Sequence, residues 1–128
     1  MKRRTRTSHR LAPAAGPYSH AVVAGDTVYC SGIIATDPQT GELIAGTFED
    51  QARRALDNLK MLLEDVGTGL SNVVKTTVFL ADMKDFATLN KVYAAYFRDE
   101  PPARTTVQVA GLPKDAALEI EAVAVLPD

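Results

Sequence analysis

The chain lacks tryptophan and holds one cysteine, two histidines, four phenylalanines and four tyrosines. The lone Cys30 excludes an internal disulfide framework and makes a reducing cytoplasm the default compartment. With only His9 and His20 beside it, no recognised zinc-ligand spacing exists. No apolar run approaches the about 20 residues that cross a bilayer, so no membrane span is expected. The basic start Met1-Lys2-Arg3-Arg4-Thr5-Arg6 leads into no apolar stretch and does not read as a secretory signal. There is no P-loop, no GxGxxG and no Ser-His-Asp order, so neither ATP nor an organic cofactor is indicated. Internal repeats and low-complexity stretches are missing too.

What remains is a chain of 128 residues, enough for one domain, with 46% hydrophobic residues to fill its core. A net charge of −2 hides an asymmetry. Residues 1–10 carry five basic side chains and no acid; the rest carry nine basic and sixteen acidic ones, a balance of −7. We read residues 1–10 as a mobile basic arm ahead of a single domain at 11–128. The arm could touch nucleic acid or an acidic partner, or be a frayed solvated terminus. No basic stripe with interleaved aromatics continues from it, so nucleic acid is an unfavoured partner.

Along the domain, Pro13-Ala14-Ala15-Gly16-Pro17-Tyr18 is a loop bracketed by proline and glycine. Ala21 to Ala24 and Thr27 to Ser31 form a hairpin about Gly25-Asp26. Phe48 to Val66 has one apolar stripe of Ala52, Ala55, Leu56, Leu59, Leu62, Leu63 and Val66, which predicts a helix. Thr47 and Asp50 suit its capped start, and Gly67 its stop. Val73 to Leu80 is a β-branched strand. Asp85 caps a second helix, with Phe86, Leu89, Val92, Tyr93, Tyr96 and Phe97 inward, which Pro101-Pro102 ends. Arg104 to Val109 and Ala117 to Leu126 are the last strands. This order predicts an α+β sandwich, a mixed sheet with both long helices on one face. The outward set Val73, Phe79, Val123 and Val125 is too apolar for open water, which implies a homo-oligomer packed through sheet faces.

Several residues could carry chemistry. Arg104, at a strand's start behind two prolines, could hold a carboxylate bidentately or pair with Asp99 or Glu100. Glu119 and Glu121, two apart on a strand, share a face; if they couple, one could act as an acid, and otherwise they lie on a solvated face. Tyr18 could lid a pocket or plug the packing. Ser31-Gly32 permits close backbone approach to a ligand, or is a bulge. Asn90 faces a pocket or solvent. His20 could serve as a general base or be incidental at a loop edge. Cys30 reads as buried and inert.

These pieces together resemble the RidA/YjgF family of reactive-intermediate deaminases. The resemblance is carried by Gly16-Pro17-Tyr18-Ser19, Tyr29-Cys30-Ser31-Gly32 and Asp37-Pro38-Gln39-Thr40-Gly41. Pro102-Ala103-Arg104, Leu112-Pro113-Lys114 and Leu118-Glu119-Ile120-Glu121-Ala122 extend it, so that it spans about residues 11–126. It implies a chorismate-mutase-like α+β protomer in a homotrimer with sites between subunits. It also implies cofactor-free, metal-free hydrolysis of 2-imino and 2-enamino acids, of the 2-aminoacrylate and 2-iminopropionate type, to 2-keto acids and ammonia. In that reading Arg104 clamps the substrate carboxylate with help from the Thr106 N–H. Glu119 handles the attacking water, and Tyr18, Ser31, Gly32 and Asn90 line the pocket. Thr106, Ile33, His20 and Thr105 depart from the family's usual residues, and the changes at Thr106 and His20 bear on pocket polarity and preferred imine. The alternatives are a ribonuclease or translation-inhibitor role, or a non-catalytic metabolite-binding regulator in the same cleft.

Overall fold

The computed structural model describes residues 2–128. Six strands and two helices follow one another as β1 (Arg3–Arg6), β2 (Ala21–Ala24), β3 (Thr27–Ile33), α1 (Phe48–Val66), β4 (Val73–Leu80), α2 (Phe86–Tyr96), β5 (Ala103–Gln108) and β6 (Leu118–Val125). The strands form one sheet in the order β1-β2-β3-β6-β4-β5. All neighbours are antiparallel except β4 and β5, which run parallel and are joined through α2. The expected mixed sheet with two helices is therefore present.

Helix α1 begins and ends for the reasons its sequence states. Thr47 accepts from the Asp50 N–H while the Asp50 carboxylate accepts from the Thr47 N–H, a closed capping box. Gly67 takes the left-handed conformation, φ 103, that ends it. Its stripe packs with Leu89, Val92 and Tyr93 from α2 and with Phe97 just beyond it, onto the inward side of the sheet, where Val23, Val28, Val78, Leu80, Leu118 and Ile120 are buried. This single core sits between the two helices and one sheet face.

Four expectations are corrected. Residues 3–6 are not a loose arm: they form the edge strand β1, paired to β2 from Arg3↔Ala24 to Arg6↔Ala21. The residues that follow clasp the end of α1. Ser8 Oγ and Arg10 Nε both donate to the Asp65 carboxylate, Arg6 donates to the Asp65 carbonyl, and Arg10 reaches the Met61 carbonyl. The last turn of α1 has no basic residue of its own. Arg6 and Arg10 supply the positive charge that a helix C-terminus favours.

Val73 does not face outward; it is 7% exposed, whereas Val74 is 48% exposed. The β4–β6 register slips between Val73 and Lys75, and a one-residue bulge exchanges the two faces. Asp85 makes no side-chain cap; Asp82 instead caps a 3₁₀ turn at Met83–Asp85 that feeds α2. Phe86 is not inward but 39% exposed, its ring set under the guanidinium of Arg104.

Candidate functional site

The site is built around an irregularity in β3. Between Cys30 and Ile33 the pairing to β6 gains one residue on the β3 side. Such bulges re-aim side chains and open the ladder. Here the bulge presents Ser31 and Gly32. Ser31 Oγ donates to the Ser19 carbonyl at 2.6 Å, tying the bulge to the Tyr18 loop. Gly32 leaves space for Glu119: a Cβ at Gly32 would lie 2.7 Å from Glu119 Cδ and 2.8 Å from Oε2. The Glu119 carboxyl thus rests on the backbone of Gly32, a seat that only glycine permits.

A cavity of about 340 Å³ opens at this point. Tyr18, Ser31, Gly32 and Glu119 line it together, with Leu11 and Ile33 among its apolar walls. Tyr18 is 51% exposed at its edge, its hydroxyl accepting from the Ala15 N–H. The Glu119 carboxyl titrates above the usual carboxylate range, first because burial disfavours its charged form and then because Glu121 lies near. No cation among the described residues pairs with it.

Arg104, Asn90 and Thr106 do not line this cavity. Pairing registers give the reason. Glu119 lies opposite Phe79 on β4, and Phe79 opposite Val107 on β5, so these three share a sheet face. Arg104 is three residues before Val107 and points to the other face, toward α2. There Arg104 Nη2 donates to Asn90 Oδ1 at 2.6 Å, and the guanidinium lies 4.7 Å from the Tyr93 ring centroid and 5.6 Å from that of Phe86. These partners are all neutral. The expected alternative, a pair with Asp99 or Glu100, is not formed. Asn90 is thereby a guanidinium-orienting group rather than a merely solvated one.

The β5 edge adds a donor. The Val109 N–H reaches the Leu80 carbonyl on β4. Main-chain groups alternate in direction along a strand, so the N–H of Thr106 points out of the sheet edge beside Arg104. The Thr106 hydroxyl is buried and without a hydrogen-bond partner. One protomer therefore carries two separate constellations: a carboxyl in an apolar cavity, and an uncompensated guanidinium with an open edge N–H.

Two other candidates are spent on structure. His20 is 9% exposed. Its Nδ1 accepts from the Ser8 N–H and its Nε2 faces the Ala12 carbonyl, both at 3.0 Å. An N–H can only donate and a carbonyl only accept, so the ring is the Nε2–H tautomer with no free nitrogen for base catalysis. Burial pushes the Cys30 thiol up to about 12, which leaves it protonated and inert, as its strand position suggested.

Two contributors belong to the resemblance, yet the sequence assigns them no role at the site. Asn58, buried on α1, donates to the Thr36 carbonyl at 2.9 Å and accepts from Arg54 Nε, pinning the cavity wall to the helix. Its signal was available: a polar residue one position ahead of Leu59 within the apolar stripe. Lys114 lines the cavity through backbone angles that its sequence does not announce. Among the described residues no cluster of His, Cys, Asp and Glu could hold a metal ion. No helix among the described residues is long and apolar enough to cross a membrane.

Residues 7–126 match the family described as Endoribonuclease L-PSP. The human 2-iminobutanoate/2-iminopropanoate deaminase is 46% identical over 123 residues, 96% of this chain and 90% of the relative. The crystal structure of yeast Mmf1 superposes with a TM-score of 0.94 at 39% identity, covering 98% of this chain and all of that one. Escherichia coli TdcF with bound serine gives a TM-score of 0.91 at 43% identity, covering 97% and 99%.

Proposed function

This chain belongs to the Endoribonuclease L-PSP family, and from that premise we propose that it is a deaminase that hydrolyses 2-imino and 2-enamino acids without a cofactor. The observation that carries the reading is the pair of half-sites. An anionic imino acid needs a cation for its carboxylate and a proton-handling group for water. Arg104 and Glu119 supply these two functions, and each is kept free of a charged partner within the protomer. Their opposite placement calls for a second copy. We take the assembly to be a homotrimer packed through the open sheet face, in which the β5 edge of one protomer closes the cavity of the next. The bound serine of the Escherichia coli relative is a small amino acid, a ligand of the same size and carboxylate chemistry.

In the completed site Arg104 clamps the carboxylate with two parallel hydrogen bonds, helped by the Thr106 N–H. Asn90 and the rings of Phe86 and Tyr93 hold the guanidinium in plane. Glu119 takes a proton from the attacking water as its oxygen bonds to the imine carbon and returns it to the nitrogen; as the C–N bond breaks, the proton of the new hydroxyl passes through Glu119 to the departing ammonia, and the hydroxyl oxygen becomes the keto carbonyl. The protonated imine and water become a 2-keto acid and ammonium, with charge conserved. A protonated imine is already electrophilic, so placement contributes more than base strength. A raised Glu119 suits both proton transfers, because acid and base forms stay accessible nearer to neutrality.

The family's description keeps an RNA-cleaving role in view. Its electrostatic support is thin here, since Arg6 and Arg10 of the basic segment are tied to α1 and the remaining chain balances at −7. The test generates 2-iminopropionate with an amino-acid oxidase and follows its capture as the semicarbazone. The wild-type protein is expected to suppress the semicarbazone, and Arg104→Ala to lose that ability. Equal behaviour of the two would end the deaminase reading, and RNA cleavage by the same nuclease-free preparation would favour the other.

A further inference from the structure

Among the described residues three non-glycine residues hold positive φ, and two of them are neighbours: Lys114 at 57° and Asp115 at 56°. Residues with a Cβ rarely adopt this region, and consecutive cases are held by their surroundings. Strain of this kind gathers where a group must be kept in place. The result of this turn is the position of one ammonium. Lys114 Nζ donates to the Gly41 carbonyl at 3.1 Å, and both residues line the cavity that holds Glu119.

Lys114 is the one lysine or arginine in that lining; the acidic groups there are Glu42 and Glu119. It is exposed, at the cavity's rim. Its ammonium has three donors, of which Gly41 takes one, and no carboxylate among the described residues pairs with it. Beyond residues 1–10 the chain balances at −7. An anionic substrate thus approaches an acidic body and an acidic cavity, with one unpaired cation at the entrance.

We propose that Lys114 is the capture cation of the cavity, meeting the substrate carboxylate at the rim before Arg104 clamps it. This rests on the deaminase reading for the identity of the anion. In mechanistic terms Lys114 sets affinity and arrival, whereas Arg104 and Glu119 set the chemical step. Its charge should therefore appear in KM and in salt dependence, and scarcely in kcat.

The experiment compares wild type, Lys114→Met and Lys114→Arg across a series of ionic strengths. It measures KM and kcat in the coupled imine assay, and the calorimetric Kd of the product-like anion 2-oxobutanoate. Methionine keeps the length of the side chain and meets the same backbone strain, so folding is held constant. We expect Lys114→Met to raise KM and Kd about tenfold, the size of one charge-assisted contact, and to flatten the decline of kcat/KM with salt. Lys114→Arg should restore most of both. Wild-type KM, Kd and salt slope in Lys114→Met would overturn the proposal. So would an equal loss of kcat in both variants, which would make the Gly41 contact a loop tie alone. If wild type turns over no imino acid yet 2-oxobutanoate binding depends on Lys114, the deaminase reading falls and the anion site stands.

Discussion

Arg104 is held by an amide oxygen and two aromatic faces, and Glu119 rests on a glycine; each charge is oriented by neutral surroundings. A carboxylate partner would hold Arg104 as firmly, but would also quench the charge that a ligand needs. Glu119 is tuned by burial first and by Glu121 second. A neighbouring negative charge makes ionisation harder, so its removal lets Glu119 lose its proton at lower pH. Glu121→Gln should therefore shift the acid limb of the kcat/KM profile to lower pH, with the alkaline limb unmoved. A profile coincident with wild type would show that Glu121 does not act on the reacting carboxyl. At this scale much was legible. Alternation along β6 put Glu119 and Glu121 on one face, and the Pro-Pro approach marked Arg104. The seat at Gly32 was not legible, because it depends on a bulge register between strands far apart in sequence.

Elements explain why the N-terminal residues were misread. Arg3-Arg4-Thr5-Arg6 shows no alternation and no apolar face, so nothing in its pattern marks a strand. Its pairing to β2 comes from main-chain groups, and charged side chains suit an edge strand because they discourage further pairing. Helix α1 was legible from stripe, capping box and terminal glycine, since all its determinants are local. Its missing C-terminal cations were not, because they come from Arg6 and Arg10, about fifty residues upstream. Removal of residues 1–10 should consequently destabilise the domain. The loss of the β1 ladder and of the buried Ser8–His20 hydrogen bond should cost about 2 kcal/mol or more, read as a lower urea midpoint with an unchanged slope. An unchanged midpoint would restore the view of this segment as a dispensable arm.

At the scale of the whole molecule, one sheet face is covered by the helices and the other is open. The open side displays Tyr29 and Val125, 51% and 37% exposed, on adjacent strands. The sequence anticipated an apolar outer face, though it misassigned Val73 because a bulge cannot be read from one strand. It could not reveal that Arg104 and Glu119 lie on opposite sides of the sheet, since strand order decides that. From this separation comes the central proposal, that an active site would take its guanidinium from one protomer and its carboxyl from another. The most direct measurement mixes two inactive variants, Arg104→Ala and Glu119→Gln, by joint denaturation and refolding at equal ratio. In a cyclic trimer with sites between neighbours, random mixing gives intact sites at about one quarter of positions. Imine deamination should return to about a quarter of the wild-type rate, and separately refolded variants should stay inactive. No recovery in well-folded mixed trimers would contradict the account and place both residues of a site in a single chain.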